Sequence, residues 1–114
     1  MILVVDDERY ITECISELLS DEKIFVIKTN KSEEAIDLIN KHQITCVLTD
    51  IAMPFMNGVE LGKKIRSLHP NIIMICISAY SESFEQDLIA VGFDHILPKP
   101  LNFEEMINTV KRYL

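Results

Sequence analysis

The sequence has few cysteines, and none follows the pattern of a disulfide framework or a structural zinc site. Cys14, Cys46 and Cys76 are odd in number and far apart, and no CxxC pair occurs. Structural zinc sites need closely spaced ligand pairs, so this spacing argues against one. Cys46 and Cys76 lie inside apolar runs, where thiols act as small buried hydrophobic groups. Free thiols fit a reducing compartment, and we therefore expect a cytoplasmic protein.

Long apolar runs, a secretion signal and an excess of positive charge are also missing. No run approaches the roughly 20 apolar residues of a membrane-spanning helix. Met1 leads directly into a short apolar run that ends in acids, unlike a signal peptide. The 11 basic residues are outnumbered by 18 acidic ones, which gives a net charge of −7. Because an acidic surface repels phosphate backbones, we expect neither membrane association nor direct nucleic-acid binding by this chain.

Short apolar runs do occur, and they alternate with helical periodicity five times. The predicted strands, each followed by an apolar stripe at helical spacing, are residues 1–5, 24–29, 44–49, 72–77 and 94–98. The run at 72–77 is apolar throughout, which favours a strand buried on both faces of a parallel sheet. Short right-handed β-α connections then predict an α/β fold, a doubly wound (βα)5 three-layer sandwich. With 114 residues, we expect one domain over residues 1–114, either complete or cut at its C-terminal boundary.

Local signals place the ends of these elements. Asn30, Asn57 and Asn102 each precede a helical stripe and are followed three residues later by a glutamate, which predicts three helix N-caps. Gly92 is a predicted helix C-cap. Pro98 cannot donate to a sheet ladder, so the fifth strand is predicted to lie at an edge or to end there.

Acids, a hydroxyl and an ammonium follow different strands at one predicted edge of the sheet. Asp6 and Asp7 follow the first strand, Asp50 the third, Ser78 the fourth and Lys99 the fifth. Each residue alone is equally consistent with a helix cap or a solvated surface charge. The carboxyl ends of parallel strands meet at one edge, however, so we expect these side chains to converge.

Convergence of these acids requires positive charge. Two carboxylates about 4 Å apart repel by roughly 4 kcal/mol at an effective dielectric near 20. Lys99 supplies one positive charge, and a hard cation such as Mg²⁺ suits the oxygen ligands. A carboxylate in such a site can act as a nucleophile toward phosphorus and form an aspartyl phosphate. Asp50 is the best candidate, because Pro54 and Gly58 break the chain after it and are expected to present it rather than bury it.

Four segments together resemble the receiver domain of two-component response regulators. They are residues 4–8 (VVDDE), 50–54 (DIAMP) with Gly58, 78–79 (SA) and 99–100 (KP). The resemblance covers essentially the whole chain. It implies a flavodoxin-like parallel five-stranded sheet in the order 2-1-3-4-5, and a phosphorylation-controlled signalling domain that catalyses only its own phosphorylation and dephosphorylation.

The resemblance also implies the roles of individual residues. Asp50 would accept a phosphoryl group from the phosphohistidine of a sensor histidine kinase or phosphotransfer protein. Asp6, Asp7 and Asp50 would bind Mg²⁺, together with the backbone carbonyl of Ala52. Lys99 would pair with the phosphoryl group, and the bond between residues 99 and 100 would be cis.

The implied switch departs from the family pattern at one position. Ser78 would move toward the phosphate and change the face formed by helix 4, strand 5 and helix 5, through which the protein could also form a homodimer. An effector domain or output partner outside this chain is also expected as a possible partner. Receivers usually carry an aromatic residue three positions before the lysine, where this chain has Ile96. We therefore expect the loop after strand 4 and helix 4 to move without an aromatic partner. Tyr80 in that loop is expected to contribute and, as a bulky neighbour of the phosphate, to slow its loss.

Three alternative functions differ in the residues that they require. A hydrolase of the haloacid dehalogenase type needs a second acid two residues after the nucleophile, where this chain has Ala52. A flavodoxin-like nucleotide binder needs a glycine-rich or hydroxyl-rich loop after the first strand, where this chain has acids. A degenerate receiver that binds partners without phosphorylation keeps the fold but not the chemistry. That reading stays open as the alternative function.

Overall fold

The fold is one parallel sheet of five strands. The computed structural model describes residues 1–79 and 82–114, with side chains for all of these except residues 82–84. The strands are β1 (Ile2–Val5), β2 (Val26–Thr29), β3 (Cys46–Asp50), β4 (Ile73–Ser78) and β5 (His95–Pro98). They are ordered β2-β1-β3-β4-β5 and every neighbouring pair is parallel. The predicted strand order and fold class are confirmed.

Five helices cover both faces of the sheet. They are α1 (Arg9–Asp21), α2 (Ala35–Lys41), α3 (Gly58–Leu68), α4 (Glu82–Val91) and α5 (Phe103–Tyr113). Helices α2, α3 and α4 enclose one core, which includes Ala35, Ile39, Leu61, Ile65 and Leu88. Helices α1 and α5 enclose the other, which includes Ile15, Leu19, Met106 and Val110. In β1, Leu3 and Val5 face the first core while Ile2 and Val4 face the second. Since both strand faces are buried, the strands read as continuous apolar runs.

The strand ends differ from the predicted bounds in a way that matters for the site. β3 and β4 each extend one residue beyond the predicted end, so that Asp50 and Ser78 are the last residues of their strands. Both side chains are therefore fixed by the sheet ladder instead of by a loop. β5 pairs only with β4 and lies at an edge of the sheet, as Pro98 predicts.

Two of the three predicted caps are confirmed. The Asn57 side chain accepts a hydrogen bond from the Glu60 N–H, and that of Asn102 accepts one from the Glu105 N–H. The prediction for Asn30 is wrong. A short 3-10 turn, Ser32–Glu34, begins after Lys31, and the Asn30 side chain points elsewhere.

Among the described residues, no helix combines the length and the apolar character needed to cross a membrane.

Candidate functional site

Three carboxylates meet at the carboxyl ends of β1 and β3. Asp6 and Asp7 follow β1 directly, and Asp50 ends β3, which lies beside β1 in the sheet. Each contributes a carboxylate oxygen to a group of three atoms that lie within 4.8 Å of one another. Asp6 and Asp50 are each 5% exposed, whereas Asp7 is open to solvent. The convergence expected from the sequence is present, and two of the three acids are buried.

Lys99 offsets part of this charge through a direct ion pair. Its Nζ lies 2.9 Å from Oδ1 of Asp50. The same oxygen accepts a hydrogen bond from the Ile51 backbone N–H at 2.8 Å. The Lys99 backbone N–H donates to the Ser78 carbonyl at 3.0 Å, and the bond between Lys99 and Pro100 is cis, as expected. Lys99 is thus held at both its backbone and its ammonium group, facing Asp50.

Burial of Asp50 corrects one expectation from the sequence. The breaks at Pro54 and Gly58 were expected to present Asp50 to solvent, but the side chain lies at the base of a recess. Glycine at position 58 explains the close packing. A Cβ there would lie 2.8 Å from the Ile51 Cα and would clash with the Asp50 carbonyl oxygen. Gly58 therefore lets the start of α3 pack directly against the end of β3.

The electrostatics of the site favour a bound cation. The pKa of Asp6 is raised from 3.8 to about 6. Burial is the main cause and a hydrogen bond from the Glu8 N–H opposes it, while the charges of Asp50, Asp7 and Glu8 contribute to the increase. Partial burial alone would lower the pKa of Lys99. The hydrogen bond to Asp50 and the surrounding carboxylates outweigh this effect and raise it. The ammonium is therefore charged, and the acids still outnumber it.

The donor set fits a hard divalent cation. Three carboxylate oxygens within 4.8 Å of one another match the oxygen coordination that Mg²⁺ prefers. Asp7 is exposed, so a cation there would keep water ligands, which is the usual state of Mg²⁺ in proteins. Burial and the charges of Asp50, Asp7 and Glu8 raise the pKa of Asp6, and a bound cation would offset both effects.

A cavity of about 230 Å³ opens at the acids. Asp6, Glu8, Asp50 and Lys99 form its polar wall. Its apolar wall consists of Ile11, Ile77, Pro100 and Leu101. A recess of this size with carboxylates and one ammonium at its base can admit a phosphoryl-sized group to Asp50.

The remaining predicted site residues lie in different surroundings. Ser78 is buried at the end of β4, next to the cavity residue Ile77. Ala52 is exposed in the loop after β3. Ile96 is half-buried beside Cys76 and packs against the core under α2, α3 and α4. Tyr80 lies outside the described residues.

Asn30, which the sequence predicts to be a helix cap, instead supports the site. Its Nδ2 donates to the Asp6 carbonyl at 2.9 Å and to the Thr12 hydroxyl at 3.0 Å. These bonds join the end of β2 to the loop that carries Asp6 and to α1. The signal was the strand order: with β2 beside β1, a polar residue at the end of β2 must lie next to the acids.

Comparison with known proteins identifies the family to which the chain belongs. The response regulator receiver domain family matches residues 2–111. The transcriptional regulatory protein CpxR of Escherichia coli (strain K12) is 34% identical over 113 residues, which cover 99% of this chain and 48% of that protein. Sporulation initiation phosphotransferase F of Bacillus subtilis (strain 168) is 30% identical over 114 residues, which cover 99% of this chain and 92% of that protein. The chain therefore spans about half the length of some curated relatives and nearly all of another.

Solved structures agree closely with the fold. The receiver domain of the Francisella response regulator 1452 superimposes with a TM-score of 0.93 at 28% identity, covering 98% of this chain and 93% of that one. The Vibrio cholerae chemotaxis protein CheY4 gives a TM-score of 0.91 at 29% identity, covering 99% and 97%. With the family match over nearly the full length, the site geometry and these relatives, the chain belongs to the response regulator receiver domain family.

Proposed function

We propose that Asp50 accepts a phosphoryl group from a phosphohistidine on a sensor histidine kinase or phosphotransfer protein. The observation that carries this proposal is the ion pair of a buried Asp50 with Lys99, beside two further carboxylates at the base of a cavity. An Asp50 oxygen attacks phosphorus, the P–N bond breaks, and the imidazole leaves and takes its proton from water. The product is an acyl phosphate, and no general base is required.

The neighbouring residues supply charge and position. Lys99 neutralises oxygen charge on the incoming group, and Ser78 donates a hydrogen bond to a phosphoryl oxygen. Asp6, Asp7 and Asp50, with the Ala52 carbonyl, would hold Mg²⁺, which when bound offsets the charge of the carboxylates and of the phosphoryl oxygens. In this proposal the chain acts chemically only on itself.

Phosphorylation would change the face formed by α4, β5 and α5 without an aromatic switch. Ile96 supports this proposal because it is an aliphatic residue packed against the core and has no hydroxyl to exchange partners. Chemical shifts of α4 residues should change when the protein is saturated with a phosphoryl mimic such as beryllofluoride. Unchanged α4 shifts at saturation would contradict this route.

We propose that the signal is passed on at a surface away from Asp50. Residues 1–114 would act as one cytoplasmic receiver domain. The α4-β5-α5 face would contact an effector domain, an output partner or a second copy of the chain. The relatives include longer proteins and proteins of about this length: one is a transcriptional regulator about twice as long, and another is a phosphotransferase of nearly the same length.

Intact mass measurement tests the central step. The protein is incubated with acetyl phosphate and Mg²⁺, and wild type should gain the mass of one phosphoryl group while Asp50→Asn gains none. Asp37→Asn, which removes an exposed acid on α2, is the matched control and should be phosphorylated like wild type. If wild type gains no phosphoryl group, phosphoacceptance is wrong, and the alternative of a receiver that binds partners without phosphorylation replaces it.

A further inference from the structure

Phe55 has a backbone conformation that is unusual for its size. Its φ is +65°, in the region that favours glycine, and the Met56 N–H donates to the Pro54 carbonyl at 2.8 Å across it. This hydrogen bond closes a three-residue γ-turn of the rare, strained kind. A positive φ is a genuine outlier for a bulky residue.

Packing of Phe55 does not offset this strain, because the residue is almost fully exposed. Its side chain is 93% exposed, the largest exposed fraction among the large apolar residues that the structure describes. Met53 and Met56, on either side in the same loop, both pack against the core under α2, α3 and α4. The turn therefore directs two side chains inward and holds the aromatic ring in water. Strain of this kind, without compensating contacts, points to a role in function.

The position of the loop indicates what meets the ring. The loop leaves β3 directly after Asp50 and closes against the strand end, where the Gly58 N–H donates to the Ile51 carbonyl at 2.8 Å. Phe55 therefore stands at the carboxyl edge of the sheet, as Asp50 does. A second exposed aromatic, Tyr10, lies in the first turn of α1, two residues after the cavity residue Glu8. The loop after β3 and the first turn of α1 thus both present aromatic rings to solvent at this edge.

We propose that Phe55 is a contact residue for the phosphodonor protein, packing against an apolar patch beside the phosphohistidine. This inference rests on the proposed function of Asp50. Because Asp50 lies at the base of a cavity, a donor histidine on a protein surface must cover the cavity mouth to reach it. Exposed aromatic anchors held rigidly at the centre of such a contact carry a large share of binding free energy. A small phosphodonor enters the cavity without touching Phe55, which does not line it.

The test separates protein donors from small donors. Wild type and Phe55→Asn are compared with acetyl phosphate and Mg²⁺, and then with autophosphorylated catalytic cores from a set of sensor histidine kinases, using the core that transfers fastest to wild type. Asparagine keeps the turn, since it tolerates a positive φ. Phe25→Asn is the matched control, because Phe25 is 77% exposed but precedes β2 at the opposite edge of the sheet.

The expected result is selective. Phe55→Asn should lower kcat/KM for transfer from the kinase core by roughly tenfold or more, while labelling by acetyl phosphate stays within about twofold of wild type. Phe25→Asn should change neither rate. The urea midpoint of Phe55→Asn should equal or exceed that of wild type, because the variant relieves strain and breaks no packing.

Three outcomes would overturn the inference. One is equal transfer from the kinase core to wild type and Phe55→Asn. The second is a lowered urea midpoint, which would give Phe55 a structural role. The third is labelling of wild type by acetyl phosphate but by no kinase core. Failure of wild type to react with acetyl phosphate is different, since it refutes the proposed function of Asp50 itself.

Discussion

Asp6 should destabilise the folded protein at neutral pH when no cation is bound, and Asp6→Asn should remove this cost. Asp6 is 5% exposed, and its carboxylate lies beside those of Asp7 and Asp50. Asparagine has nearly the same shape, and its Oδ1 can still accept the hydrogen bond from the Glu8 N–H, which is 2.9 Å long in wild type. The substitution therefore removes charge with little change in packing.

The magnitude follows from the pKa of Asp6. Folding raises this pKa from 3.8 to about 6, so the folded state binds the Asp6 proton more tightly than the unfolded state. That stabilisation is fully present below pH 3.8 and is lost as the pH rises through about 6. At roughly 1.4 kcal/mol per pH unit, the ionised group costs about 3 kcal/mol at pH 7. This is a large fraction of the roughly 5–15 kcal/mol that stabilises a small domain.

Urea unfolding in the presence of EDTA measures the effect. At pH 7, Asp6→Asn should be more stable than wild type by up to about 3 kcal/mol, and the difference should shrink toward zero as the pH falls to 3.8. Asp37→Asn, at an exposed position on α2, should show no such pH-dependent gap. Added Mg²⁺ should stabilise wild type more than Asp6→Asn, because binding to the folded state alone raises stability by mass action.

One result would refute this reasoning. If the free energies of unfolding of wild type and Asp6→Asn differ by the same amount at every pH, the ionised Asp6 carries no extra cost in the fold. The carboxylate cluster would then not be the source of the expected response to Mg²⁺.

Two further predictions concern the supports of the site. Gly58→Ala should lower the free energy of unfolding by about 1–3 kcal/mol, because its Cβ would press on the backbone of Asp50 and Ile51, which cannot move aside. Urea unfolding measures this change, and Ser67→Ala at an exposed position on α3 should be neutral. Arg66→Lys should cost about 1–3 kcal/mol in the same assay, because ammonium cannot reproduce the guanidinium bonds to three backbone carbonyls and the Asp94 carboxylate. If Gly58→Ala has the same free energy of unfolding as wild type, the start of α3 can shift. If Arg66→Lys has the same free energy of unfolding as wild type, the Arg66 hydrogen bonds do not contribute to stability.

The elements of the fold were predictable because their signals are local. The continuous apolar runs exist because each strand is buried on both faces, and the run at 72–77 matches β4 within one residue. The caps at Asn57 and Asn102 were also predictable, since a cap joins a side chain to a backbone N–H only three residues away. Asn30 carries the same local pattern, but its side chain bonds to Asp6 and Thr12, which lie 24 and 18 residues earlier in the chain. A local pattern cannot show that a distant acceptor competes for the same amide.

The sequence by itself determined which polar groups would share one edge of the sheet, because five parallel strands must end on the same side. Only the tertiary structure decided how those groups meet. The sequence placed Asp50 and Lys99 at two strand ends, and packing brought their charged atoms to 2.9 Å while burying the carboxylate. The same packing turned Met53 and Met56 inward and left Phe55 in solvent. Burial, distance and pKa depend on which elements approach from elsewhere in the chain, so they arise with the fold and not with the local order of residues.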